Sequence, residues 1–134
     1  MATKQIFVNL PVKDLPKSKV FFEALGYSFN PQFTDENAAC LVISDTIYAM
    51  LLAEDFFKRF TSKEIVDAKK STEVLVCLST ESRAEVDDLV RKAVAAGGRI
   101  YNEPQDHGFM YGHGFEDLDG HQWELAFMEP SHVQ

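Results

Sequence analysis

The chain has 134 residues, 46% hydrophobic and 25% charged, the proportions of a single globular domain with a core of its own. Its formal net charge of −8, with only short basic clusters such as Lys69-Lys70, argues against nucleic acid or an anionic membrane as a partner. No apolar run is long enough to span a bilayer, and Met1-Ala-Thr-Lys-Gln5 lacks a signal-peptide core, so a cytoplasmic protein is expected.

From Lys4 to Val12 the residues alternate, with Val8, Leu10 and Val12 on one side and Phe7, Asn9 and Pro11 on the other, the period of a half-buried strand. Asp14 can cap a helix that tolerates Pro16 in its first turn, shows one apolar face through Val20, Phe21, Ala24 and Leu25, and stops at Gly26. Three short strands follow: Tyr27 to Thr34, Ala38 to Ile43 and Thr46 to Leu52, the last two joined at Ser44-Asp45. The first module, about residues 4–60, therefore reads βαβββ. Phe56 and Phe60 can anchor a short helix, and residues 61–70 read as a surface connector or lid.

The second module, about residues 71–128, repeats the pattern. Glu73, Leu75 and Cys77 alternate with Val74, Val76 and Leu78, so Glu73 opens a strand. Ser82 with Glu85 forms a capping box before a helix faced by Val86, Leu89, Val90 and Ala93, and Gly97-Gly98 ends it. Arg99 to Asn102 reads as a strand start. Cys40 and Cys77 each sit in an apolar run and read as small hydrophobes.

The densest chemistry lies in Tyr111 to Leu125, a β-hairpin turning at Asp117-Leu-Asp-Gly120. A four-residue loop sets His113 opposite Glu124 and Phe115 opposite Gln122. Tyr111, His113, Gln122 and Glu124 then share one face, while Trp123 and Leu125 lie over Gly114 and Gly112 on the other. His121 points with Trp123 and His132 lies in the tail, and neither carries a role.

Paired βαβββ modules, Val12-Lys-Asp-Leu15 before a helix ending in Leu25-Gly26, and the closing Glu116-Asp-Leu-Asp-Gly-His-Gln-Trp-Glu-Leu125 resemble the vicinal oxygen chelate superfamily. That superfamily includes glyoxalase I, bleomycin- and fosfomycin-resistance proteins and extradiol dioxygenases, and the chain looks most like its predicted lactoylglutathione lyases. The resemblance implies an α+β fold whose two modules form a half-open mixed-sheet barrel with the helices outside, assembled as a homodimer. In metal-dependent members four side chains hold one divalent ion that polarises substrate oxygens. The corresponding positions here are Phe7, Ala49 (or Met50 if the register slips), Glu73 and Glu124, so two carboxylates stand where four ligands are needed.

His113, opposite Glu124 in the expected register, can complete a facial set of Glu73, His113 and Glu124 for nickel, zinc, manganese or magnesium. The alternative is metal-free acid/base chemistry by Glu124 and His113, with apolar Phe7 and Phe115 raising a carboxylate pKa. Phe7, Asn9, Tyr111 and Phe115 are the expected substrate contacts. Two functions follow: a lyase or isomerase acting on a small α-oxo or thiohemiacetal substrate with a reduced or absent metal site, or a metal-free binding protein of the bleomycin-resistance type for an antibiotic or aromatic molecule.

Overall fold

A computed structural model describes residues 2–130, so His132 lies outside the described residues. The chain divides into two compact units, residues 1–66 and 67–134. Each carries one helix-covered, four-stranded mixed sheet, and the fold class is α+β as expected. No helix among the described residues is long and apolar enough to cross a membrane.

The first unit runs β1 (Ile6–Val12), α1 (Leu15–Ala24), β2 (Ser28–Asn30), β3 (Ala38–Val42), β4 (Ile47–Ala53) and a short α2 (Glu54–Phe57). Its sheet order is β1-β4-β3-β2, with β1 parallel to β4 and the other pairs antiparallel. The Asp14 side chain accepts the Lys17 amide at 3.1 Å and starts α1. Leu10, Val12, Leu41, Ala49 and Leu51 form one buried row, and α1 packs on β3 and β4. β2 is shorter than the expected Tyr27–Thr34 strand, because the Asn30 side chain accepts the Gln32 amide and Pro31 begins a 3₁₀ turn over Pro31–Phe33.

The second unit runs β5 (Leu75–Ser79), α3 (Arg83–Ala95), β6 (Gln105–Asp106), β7 (Met110–Glu116) and β8 (Gln122–Met128), in sheet order β5-β8-β7-β6. Ser82 Oγ accepts the Glu85 amide at 3.0 Å, while the Glu85 carboxylate reaches back to the Glu81 amide at 2.7 Å. The helix is fixed to the sheet by Val86, Val90 and Ala93 against β7 and β8. Phe115, Trp123 and Leu125 are buried in the same unit. Burying side chains of this size contributes roughly 1.5–3 kcal/mol each.

Two expectations fail in this unit. Arg99 to Asn102 is not a strand: Arg99 alone pairs with Glu116, and pairing resumes only at Gln105 with Gly112. Six residue steps on one side match four on the other, so two extra residues bulge out around Tyr101 to Pro104. Pro104 has no amide to offer a ladder.

The hairpin is also one residue out of the expected register. Its loop holds five residues, 117–121, because the last pair is Glu116 with Gln122. The buried Asp117 carboxylate accepts the amides of Asp119 and His121 at 3.0 Å each and the Trp123 indole N–H at 3.0 Å. Those bonds wrap the extra residue into the turn, with Gly120 at φ +91°. A side chain at Gly120 would come within 2.8 Å of the Lys69 backbone nitrogen, so the end of the 61–70 connector is packed against this turn.

Candidate functional site

A one-residue shift moves every side chain of a strand to the other face of its sheet. Glu124 pairs with Gly114, not His113; His113 pairs with Leu125, Phe115 with Trp123 and Tyr111 with Phe127. The face bearing Tyr111, His113 and Phe115 is the one α3 covers: the Tyr111 hydroxyl donates to Asp87 on α3 at 2.6 Å, and the Arg83 guanidinium lies 5.3 Å from the Tyr111 ring centre. The Asp87 bond, ahead of burial, pushes the Tyr111 phenol above its ordinary pKa. His113 Nε2 donates to the Asn102 carbonyl at 3.0 Å. Phe115 is 2% exposed and stacks parallel to Trp123. Phe115 therefore belongs to the core, and Tyr111 secures the helix.

The opposite face is open and carries Cys77 on β5, Gln122, Glu124 and Ala126 on β8, and Gly112, Gly114 and Glu116 on β7. Gly112, Gly114 and Ala126 floor a cavity of about 230 Å³ whose wall is built by Cys77, Met110, Glu124 and the bulge residues Asn102 and Glu103. His113 and Leu125 border it from their backbone positions in the ladder. The floor is free of long side chains, and the Glu124 carboxylate is one of the polar groups that line the cavity.

Two neighbours of Glu124 escaped sequence reasoning. Cys77 stands directly across from it in the parallel β5–β8 ladder, exposed and free. Partial burial and then the Glu124 charge push its thiol above the ordinary value, so it stays protonated at neutral pH. Tyr101 reaches from the bulge to Gly114, where its hydroxyl lies 2.6 Å from the position a Cβ would take. That hydroxyl is buried and has no hydrogen-bond partner among the described residues. Burial first, then the charges of Glu124 and Glu116, push its pKa up to about 12. The sequence signal for Tyr101 was its place after Gly97-Gly98, which suggested a paired strand and not a bulge.

The remaining candidates fall as follows. Glu73 is exposed and precedes β5, on the alternation of Leu75 and Cys77. Phe7 and Asn9 lie in the first unit, where Phe7 is 51% exposed and stacks on Tyr48 at 4.8 Å and Asn9 pairs with Met50. Ala49 sits in the buried row between Val8 and Leu41, so of the two candidates on β4 it is Met50 that shares the face of Phe7 and Asn9, beside Tyr48 and Leu52. Neither Phe7 nor Met50 offers a hard donor.

The expected set of Glu73, His113 and Glu124 is not assembled, since His113 projects to the helix-covered face and Glu124 to the open one. Among the described residues no three carboxylate, imidazole or thiol groups converge in a way that could hold a metal ion. Beside Glu124 stand a protonated thiol and a protonated phenol, and Glu103 on the cavity wall does not converge with Glu124 and a third such group. These residues do not fit a divalent cation.

A family model described as bleomycin resistance protein-like N-terminal matches residues 4–44. The hypothetical protein SA1046 from S. aureus is 32% identical over 92% of this chain and 93% of its own, with a TM-score of 0.78. The chain belongs to the vicinal oxygen chelate superfamily. Its fold is shared by more distant superfamily structures: a glyoxalase/bleomycin resistance protein/dioxygenase family enzyme from Burkholderia phytofirmans PsJN and the fosfomycin resistance protein FosX from Mesorhizobium loti. The first is 16% identical, covering 91% of this chain and 96% of its own with a TM-score of 0.75; the second is 14% identical, covering 98% and 97% with a TM-score of 0.70. No functionally curated protein matches the sequence. In this chain the open face carries one glutamate beside a glycine floor, with a thiol and a phenol as its neighbours.

Proposed function

We propose that the protein binds a small organic molecule on the open face of its second sheet, with no resident metal ion, as a binding protein of the bleomycin-resistance type. The observation that carries this reading is the cavity of about 230 Å³ beside Glu124, floored by Gly112, Gly114 and Ala126. Apolar walls with a few polar groups are the usual composition of a ligand pocket. We take the protein to act in the cytoplasm as a homodimer, in keeping with the superfamily.

A thermal-shift screen of aromatic and antibiotic molecules, run on the wild type and on Ala126→Leu, tests the reading. A native-state ligand raises the unfolding temperature, and a leucine on the cavity floor removes that rise. Hits that survive Ala126→Leu place binding elsewhere and sink the proposal. Dialysis against chelator and readdition of nickel, zinc, manganese or magnesium are expected to leave the unfolding temperature unchanged.

The second reading is metal-free acid/base chemistry on an α-oxo or thiohemiacetal substrate, with Glu124 as base. What favours it is that the Glu124 carboxylate has no hydrogen-bond or ion-pair partner among the described residues and has the Tyr101 phenol as a neighbour. Formation of lactoylglutathione from methylglyoxal and glutathione, lost in Glu124→Gln, is the result that would establish it.

A further inference from the structure

Two polar groups border Gly114 on the open face. Glu124 is its direct partner across the β7–β8 ladder, and the Tyr101 hydroxyl rests where its side chain would be. Both lack the partner that a buried or half-buried polar group needs. The Tyr101 hydroxyl is buried with none among the described residues, and the Glu124 carboxylate has neither a hydrogen bond nor an ion pair among them. The phenol keeps its proton, so it offers a donor; the carboxylate offers only acceptors. Glu116, the other charge beside Tyr101, already faces Arg99 at 3.9 Å. Tyr101 is carried on the bulge between the Arg99 and Gln105 pairings and lies outside the strand ladder, with its hydroxyl against Gly114 on the cavity floor.

We infer that Tyr101 and Glu124 form a donor–acceptor pair that recognises a carboxamide, or an equivalent group carrying a carbonyl oxygen and an N–H side by side; this rests on the binding site proposed above. The carbonyl oxygen accepts from Tyr101 and the N–H donates to Glu124. Each alternative group leaves one member unmatched. A ketone or ester has nothing for Glu124, and an ammonium has nothing for the Tyr101 proton. A carboxylate meets Glu103 and Glu124, which both line the cavity. An unmatched buried group costs more than a matched one returns, so the pair discriminates by what it rejects.

The test is a titration of labelled protein with benzamide, acetophenone and benzylamine, following the amide resonances of Gly112, Gly114 and Ala126. Benzamide is expected to bind about tenfold or more tightly than either single-function probe. Tyr101→Phe should erase the preference over benzylamine and weaken acetophenone while benzylamine binds as before, and Glu124→Met should erase the preference over acetophenone and weaken benzylamine while acetophenone binds as before. Equal affinity for all three probes, or a benzamide preference that persists in both variants, overturns the pair. If the probes bind indiscriminately but Ala126→Leu abolishes binding, the site stands and the pair falls. If no probe moves these resonances, or Ala126→Leu leaves binding intact, the site itself falls. Tyr101→Phe retains the ring and needs only a folded spectrum matching the wild type to count.

Discussion

Gly114 and Glu124 face each other across the β7–β8 ladder, and the hydroxyl of Tyr101 occupies the space that any side chain at Gly114 would need. The glycine is thus a structural requirement of the site and not a turn residue. A methyl group there would clash with the Trp123 carbonyl oxygen as well as with Tyr101, whereas one at Gly112 would meet only the Leu125 carbonyl at an ordinary 3.5 Å. Gly114→Ala is expected to destabilise by about 1–3 kcal/mol, and Gly112→Ala to stay within about 0.5 kcal/mol of the wild type. Paired urea denaturation curves measure both; equal midpoints would refute the packing argument.

Tyr101→Phe is expected to leave stability unchanged or raise it by up to about 1 kcal/mol, because it removes a buried hydroxyl that makes no hydrogen bond. The raised pKa has a definite sign. The folded phenol holds its proton more tightly than the unfolded one, so its contribution is complete below the ordinary value near 10 and is lost as pH rises through about 12. Alkaline tyrosinate absorbance should show one late-titrating phenol missing from Tyr101→Phe, and Glu124→Gln should move that titration earlier.

Asp117 holds three donors at once, so Asp117→Ala strands the Asp119 and His121 amides and the Trp123 indole. A loss of roughly 3 kcal/mol is expected, with Asp117→Asn milder because its carbonyl oxygen still serves the two amides. Burial pushes the Asp117 carboxyl above its ordinary pKa. The folded state therefore binds the proton more tightly, and the stability this supplies is complete below the unfolded value near 4 and is lost as pH rises through the raised folded value. Denaturation midpoints across the acid range should show that slope in the wild type and not in Asp117→Asn.

Arg83 ties α3 to the β6–β7 turn through Asp106 at 3.0 Å and the Gly108 carbonyl at 2.8 Å. A lysine cannot reproduce this two-pronged geometry. Arg83→Lys should speed amide exchange at Gly108 and Met110 while leaving the global unfolding midpoint close to wild type, since these groups are largely exposed. The Gly108 amide and then Arg83 hold the Asp106 carboxyl below its ordinary range. The turn is accordingly secure above the usual carboxylate pKa and loosens as pH falls through the depressed one. Exchange rates that are the same in the variant and wild type would dismiss the clamp.

The sequence by itself determined the two βαβββ modules, through strand alternation at Val8, Leu10 and Val12 and at Val76 and Leu78, and through the helix caps at Asp14 and Ser82. It also singled out Glu124 and the closing hairpin. These are local signals, set by period and by residues a few positions apart. The faces of that hairpin were decided only in three dimensions. Asp117 gathers the turn amides and a tryptophan indole six residues away, the loop grows to five residues, and one step of register exchanges His113 for Gly114 opposite Glu124. Tyr101 was beyond sequence reasoning for the same reason: its place depends on where a bulged segment rejoins the ladder at Gln105, a long-range pairing that no local pattern encodes.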